Sequence, residues 1–319
     1  MEKSMDVTAL GELLIDFVQN GVSEAGNPVM EAAPGGAPCN VLAMLNNLGH
    51  SCAFIGKVGR DSFGDLLEDT LKQLEIDTRG LVRDGEVHTT LAFVHTAPDG
   101  DRSFSFYRNP GADMRLSEAE VDEDLIARSR IFHFGSLSLT DEPCRSATVK
   151  AVAAAKRAGC LISFDPNLRE SLWPDLGTAR EQIAWGLSQC EILKISENEL
   201  AFVTGTGDID RGAEILQKNC PNIRLLNVTA GSAGSFSYYQ GRKVSRPVVR
   251  TDRVVDTTGA GDTFCGCVLH FVLQHGLEGL SDADLGEMLR FANAAASVII
   301  GRKGALKVMP SVSEIPADV

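Results

Sequence analysis

The sequence predicts an α/β fold: a doubly wound, mostly parallel sheet flanked by helices, with a small second β-sheet set apart from it. Three observations carry this. From residue 131 onward, short apolar β-branched runs alternate with helix-periodic segments. Two glycine-rich turns, at 35–36 and 259–261, each open a segment of helical periodicity. Between 88 and 108 a hairpin-like pair of strands interrupts the alternation. No linker, internal repeat or low-complexity stretch divides the chain, so a single domain over 1–319 is expected.

Taking the elements in order, residues 7–10 read as the first strand, followed by Gly11-Glu12-Leu13-Leu14-Ile15-Asp16. Asp16 lies just beyond an apolar run. It either ends a strand or uses its carboxylate to accept hydroxyl hydrogen bonds. Residues 17–34 hold Gly21, Gly26, Pro28 and Pro34 and read as irregular. Gly35 and Gly36 then open a helix with Val41, Leu42, Leu45 and Leu48 on its apolar face and Gly49 at its end. Paired glycines let a ligand approach the backbone closely, and Asn40 offers both a donor and an acceptor. A strand at 53–58 and a turn at 59–64 lead into a helix ending near 74.

Residues 88–95 and 103–108 have strand composition, joined by the turn signal Pro98-Asp99-Gly100-Asp101, with Phe104 and Phe106 on one face. With part of 17–34 they are expected to form a β-sheet lid, built from insertions at about 17–34 and 88–112. Such an element can close over a ligand and exclude water. Arg108, after the second strand, is either a solvated strand-end cation or points toward the site.

Strand 131–134 precedes a helix at 143–158 stopped by Gly159; strand 161–165 ends in Asp165-Pro166-Asn167-Leu168-Arg169. A helix at 178–188 leads to strand 192–195, and strand 224–228 runs into Thr229-Ala230-Gly231-Ser232-Ala233-Gly234. In such a sheet, sites form at the carboxyl ends of strands. Arg169 sits at one such end and can supply local positive charge.

The stretch 256–264 carries the most chemistry. Phe264, Cys267, Val268, Phe271 and Val272 have helical spacing, so 259–262 should be a helix's first turn. Its backbone N–H groups have no partner inside the helix, and the helix dipole is positive there, so an anion is the natural guest. Gly259 and Gly261 let a phosphate come close. Asp262 would repel a simple phosphate ligand. It makes sense if it must take a proton from a hydroxyl that attacks phosphorus.

Composition narrows the classes. The chain has 319 residues, 44% of them apolar, enough for a large core. A net charge of −13 argues against a nucleic-acid-binding face. It also requires any anionic substrate to be met by backbone dipoles, a few Lys or Arg and a metal. The first residues show no signal-peptide pattern, and no run approaches about 18 apolar residues, so no membrane partner is expected. The eight cysteines are scattered without a Cys-x-x-Cys, which points to free thiols in a reducing cytoplasm. Walker A and protein-kinase signatures are missing.

The string Asp256-Thr257-Thr258-Gly259-Ala260-Gly261-Asp262 resembles the C-terminal signature of the PfkB (ribokinase-like) family of sugar and nucleoside kinases. Gly35-Gly36, Asn40 and Leu48-Gly49 resemble its N-terminal signature, in the right order along the chain. The resemblance covers about residues 6–310 and implies a ribokinase-like fold. It implies Asp262 as base and Gly259, Ala260 and Gly261 as anion hole. It further implies that Asp16, Gly35, Gly36, Asn40, Arg108 and Arg169 serve the substrate. Lys194, Thr229, Gly231, Gly234 and Asn293 would border ATP. Glu199 matches the family's Mg²⁺-orienting glutamate, although Ser196 stands where the family has Asn. Asp256 and Thr258, with the loop of Arg302 and Gly304, match a K⁺ site found in many members.

Within the family the chain looks most like the fructokinases, which implies D-fructose as acceptor and fructose 6-phosphate as product. A 2-keto-3-deoxygluconate kinase is the runner-up, its substrate's carboxylate wanting Arg108 or another cation. Other sugar or nucleoside kinases follow, and a catalytically silent PfkB-like binding protein is the non-enzyme alternative. Lid hairpins in this family often pair between subunits, so a homodimer through the lid is expected.

Overall fold

The apolar run near the start of the chain becomes a strand well inside a nine-stranded sheet. The computed structural model describes residues 3–96, 102–251 and 254–317. The strands are β1 (Met5–Leu10), β2 (Leu14–Val22), β3 (Pro28–Gly35), β4 (Cys52–Gly59), β5 (Asp77–Asp84), β6 (Leu91–Thr96), β7 (Arg102–Tyr107), β8 (Ser129–Gly135), β9 (Leu161–Asp165), β10 (Ile192–Ser196), β11 (Leu225–Thr229), β12 (Ser235–Tyr239) and β13 (Arg242–Arg246). The helices are α1 (Ala37–Asn47), α2 (Ser62–Gln73), α3 (Glu123–Ala127), α4 (Cys144–Arg157), α5 (Leu176–Gln189), α6 (Glu197–Thr204), α7 (Ile209–Asn219), α8 (Ala260–His275) and α9 (Asp282–Ile299).

The large sheet has the order β13-β12-β11-β10-β9-β8-β1-β4-β5. Its strands run parallel from β11 through β5, and β12 and β13 turn back antiparallel at one edge. Helices cover both faces, so a central strand has no wet side; β4 is buried at every position. One face packs Val7, Leu42, Phe54, Val268 and Leu289 into a core with α1, α8 and α9. The other packs Phe132, Phe134, Phe164, Ile183 and Leu200 against α4, α5 and α6. β1 pairs with β4 on one side and β8 on the other, so the chain order reverses beside it. A crevice outside the carboxyl ends of the strands belongs at such a switch point.

The small sheet has the order β3-β2-β6-β7. Phe17 stacks on Phe93 at 4.9 Å and meets Phe63 of α2 edge-on at 5.6 Å, tying this sheet to the body. Residues expected to be irregular at 17–34 are therefore mostly strand, with a register shift between Gln19 and Val22. The turn expected at 98–101 and the Phe104 side chain lie outside the described residues.

β5 and the β12–β13 hairpin carry no clear strand signal in the sequence. β5 is a charged, half-exposed edge strand (DTRGLVRD) with no clean alternation. The hairpin turns through Gln240 and Gly241, both at positive φ (50° and 75°). That is the geometry of a two-residue primed turn, without the Asn-Gly that usually marks one.

Candidate active site

The first turn of α8 lies where two cavities meet. One, of about 410 Å³, is lined by Glu12, Asp16, Gly36, Asn40, Arg169, Lys194 and Asp262 among others. The other, of about 630 Å³, is lined by Thr229, Gly231, Gly234, Phe264, Asn293 and Ala296 among others. Thr257 and Gly261 line both.

Gly259 caps α8 in the left-handed region, at φ 79°. A Cβ there would fall 2.7 Å from that of Ala305, so the position needs glycine for both conformation and space. Asp262, one turn in, is 8% exposed, and its Oδ2 accepts from Asn40 Nδ2 at 2.8 Å. Burial raises its carboxyl above the ordinary value; the Asn40 hydrogen bond, Lys194 and Arg169 pull it back. Asn40 Oδ1 is buried in the same wall with no protein partner. Such an acceptor suits a ligand hydroxyl.

Asp16 projects from β2 beside β3. A Cβ on Gly35 would fall 2.4 Å from Asp16 Oδ2, so the glycine makes room for the carboxylate. Gly36, the N-cap of α1 at φ 126°, lies against the Glu12 carbonyl. Glu12 Oε1 accepts from the Ala37 N–H at 2.9 Å. Burial pushes both carboxyls, Glu12 and Asp16, up to about 7. Glu12, in the run Gly11-Glu12-Leu13-Leu14-Ile15-Asp16, joins the expected residues on the cavity wall. Asn167, also on the cavity wall, sits at φ 44° in the loop after β9.

Lys194 Nζ lies 3.0 Å from Asp165 Oδ2 and 2.8 Å from where a Gly261 Cβ would be. Burial alone would lower its pKa; Asp165, Glu199 and Asp262 reverse that and hold it above the ordinary value. A permanent ammonium thus stands beside the helix N-terminus, the arrangement an anion needs.

Three expected residues are placed differently. Arg108 does not line the cavity: its guanidinium is buried behind it, paired with Asp113 at 2.7 Å and bonded to Thr140 Oγ1 and the Leu137 carbonyl. Glu199, expected to orient Mg²⁺ waters, gives its carboxylate to a capping box with Ser196 and to the Leu168 N–H at 2.7 Å. It holds the 166–169 loop in place. No group of three or more His, Cys, Asp or Glu able to hold a metal occurs among the described residues. The Arg302 side chain turns to the Val308 carbonyl and Glu314. Of its segment, Gly304 reaches the expected K⁺ site, donating its N–H to Asp256 Oδ2 at 3.1 Å while the Thr258 N–H donates to Oδ1 at 2.7 Å.

On the second cavity, Thr229 ends β11, Gly231 and Gly234 shape the following turn, and Asn293 projects from α9. Asn293 Nδ2 donates to the Pro247 carbonyl at 3.0 Å, pinning the loop that forms the opposite wall. The apolar lining of this cavity, Phe264, Ala296 and Ile300, could not be told from core by pattern alone.

The profile of pfkB family carbohydrate kinases matches residues 4–312. Fructokinase-1 of Oryza sativa subsp. japonica is 43% identical over 97% of this chain and 96% of its own length. Probable fructokinase-7 of Arabidopsis thaliana is 44% identical over 97% and 91%. The crystal structure of fructokinase with bound ATP from Xylella fastidiosa superposes with a TM-score of 0.88 at 31% identity, covering 99% of this chain and 97% of that one. A fructokinase double mutant from Vibrio cholerae O395, with fructose, ADP and potassium ion bound, gives 0.86 at 28% identity, covering 99% and 98%. The chain belongs to the pfkB family of carbohydrate kinases.

Proposed function

We propose that this member of the family is an ATP-dependent fructokinase, transferring the γ-phosphoryl of ATP to the primary O6 hydroxyl of D-fructose to give fructose 6-phosphate and ADP. The observation that carries the reading is the meeting of two cavities over one helix N-terminus that bears a buried carboxylate. A polar, carboxylate-lined cavity suits a neutral polyol, and a larger, mostly apolar one suits adenosine. The fructokinase relatives, at 42–44% identity, support the choice of sugar.

In this reading Asp262 takes the proton from O6 as it attacks. The amides of Gly259, Ala260 and Gly261 stabilise the charge on the transferring group, one such donor being worth about 3 kcal/mol. Asp16, Asn40 and the backbone at Gly35 and Gly36 hold sugar hydroxyls. Arg169 and Lys194 draw the phosphates inward, and Thr229, Gly231, Gly234 and Asn293 border the nucleoside. Mg²⁺ would neutralise the ATP phosphates; with Glu199 committed to protein donors, it would be carried by the nucleotide itself. Asp256, Thr258 and the backbone at 302–304 form the candidate K⁺ site, where the buried Asp256 carboxylate supplies the charge. Activity independent of K⁺ would remove that assignment.

The engagement of Arg108 weighs against 2-keto-3-deoxygluconate, since three of its nitrogens already serve protein acceptors. The intact base at Asp262 weighs against a silent binding protein. The small sheet is the proposed lid of a single domain spanning the chain. It exposes Val22, Val29 and Tyr107, which supports pairing of two copies through it. Monomers in equilibrium sedimentation at assay concentration would overturn the dimer. No helix among the described residues is long and apolar enough to cross a membrane, and the cysteines are free, which fits the proposed cytoplasmic location.

The test is ADP release with Mg²⁺ and K⁺ across fructose, 2-keto-3-deoxygluconate, ribose, glucose, tagatose and adenosine. Fructose is expected to have the highest kcat/KM. Another acceptor in first place would keep the kinase and replace the sugar.

A further inference from the structure

A buried ion pair, Arg108 with Asp113, lines neither cavity, though its charges reach Glu12 on the sugar side. Asp113 Oδ2 accepts from Arg108 Nε at 2.8 Å, and Asp113 Oδ1 accepts from Thr90 Oγ1 at 2.5 Å. Arg108 continues the chain of bonds to Thr140 Oγ1 and the Leu137 carbonyl, each at 2.9 Å. The Arg108 and Asp113 side chains are each 2% exposed, so the pair is fully desolvated.

The positions of these residues give the pair a meaning. Thr90 immediately precedes β6, and Arg108 immediately follows β7. The two strands form one antiparallel hairpin, which pairs with β2 through β6. Asp113 therefore joins the two ends of that hairpin, and Arg108 fastens them to the segment after β8. Packing at the junction leaves no slack: a Cβ on Gly111 would fall 1.8 Å from Thr90 Oγ1 and 2.7 Å from Asp113 Oδ1. Phe106, two residues before Arg108, lines the sugar-side cavity together with Leu137, whose carbonyl Arg108 holds.

We infer that Asp113 is a positioning residue for the transfer: it clips the ends of the β6–β7 hairpin together and so fixes Phe106 and Leu137 as one wall of the sugar cavity. This rests on the fructokinase reading above. A loosened clip lets Phe106 withdraw and water enter. Water then competes with the sugar for the phosphoryl group. The nucleotide cavity shares none of these residues, so ATP binding stays as it was.

Thr90→Val is the primary test, because it keeps shape and removes only the hydroxyl. We expect fructose KM to rise roughly tenfold, as for loss of one hydrogen bond to a charged group. ADP formed per fructose 6-phosphate should exceed one, with ATP KM unchanged. Asp113→Asn should do the same more strongly, and Gly111→Ala should reproduce it by crowding. A purely structural role would lower Tm while leaving KM and stoichiometry alone. Wild-type fructose KM and one-to-one stoichiometry in Thr90→Val would overturn the clip while leaving the fructokinase reading intact. If Asp113→Asn fails to fold, Thr90→Val decides alone. A wild type inert toward fructose would overturn the function first, and the inference with it.

Discussion

Asn40 Nδ2 donates to Asp262 Oδ2 at 2.8 Å, joining the first turns of α1 and α8 across the floor of the sugar-side cavity. The two helices carry the two glycine-rich turns, so one hydrogen bond links both halves of the site. The amide stabilises the ionised carboxylate against the burial that opposes it. Asn40→Ala should therefore raise the Asp262 pKa further. As the proposed base, Asp262 is inactive when protonated, so the acid limb of the kcat/KM profile should move to higher pH. On that limb the rate should fall roughly tenfold or more, the scale of one charge-assisted hydrogen bond. An unmoved acid limb would separate Asn40 from the base.

Asp262→Asn keeps size and burial but cannot take a proton. Its turnover should fall by about 10²–10⁴. ATP should bind as before, because Asp262 does not line the cavity proposed for the nucleotide. Near-normal turnover in this variant would refute the assignment of the base.

Two glycines two residues apart should respond differently to alanine. At Gly259 the new Cβ meets Ala305 at 2.7 Å, with φ at 79°. Neither neighbour nor backbone can yield cheaply, so a cost of about 1–3 kcal/mol is expected, with Tm falling by several degrees. At Gly261 the Cβ would meet Lys194 Nζ at 2.8 Å, the end of a flexible side chain. The lysine can move, so Tm should barely change. Displacing the ammonium from the anion site should still lower kcat by roughly tenfold or more. Equal Tm losses in both variants would show that the ammonium is not what Gly261 makes room for.

The elements that sequence reads well are those where local chemistry and global burial agree. The parallel strands from β8 to β11 are apolar runs between helices, and α8 is announced by its glycines and its period. Asp16, Asn40, Lys194 and Asp262, each a polar residue at the edge of an apolar element, line one cavity together. Arg108 turns to Asp113, a partner close in sequence but reached only through the turn after β7, which no local pattern announces. At Glu199 the sequence pattern is ambiguous, because a capping box and a metal-orienting carboxylate call for the same residue at the same helix position. Glu12 needed the tertiary structure to show that it lines the cavity rather than merely following β1.

Away from the site, His50 Nε2 and His270 Nδ1 lie 2.7 Å apart, with Asp6 3.6 Å from the other nitrogen of His50. One imidazole must donate and the other accept, so the bond needs at least one neutral ring. Burial lowers His270 to about 4, with His50 and His275 adding to the effect, and burial also lowers His50 despite Asp6. An unfolded histidine titrates near about 6.5. Between about 6.5 and 4 the unfolded chain therefore binds more protons at this pair, so its contribution to stability is full above about 6.5 and lost as pH falls toward 4. Glu12 and Asp16, raised by burial to about 7, act in the opposite sense as pH falls, which makes the wild-type slope alone uninformative. The difference between wild type and His270→Gln isolates the pair. Wild type should lose Tm relative to the variant as pH is lowered from neutral toward 4.5 in thermal melts. Parallel curves over that range would mean that the two histidines take up protons in the folded protein as readily as in the unfolded chain.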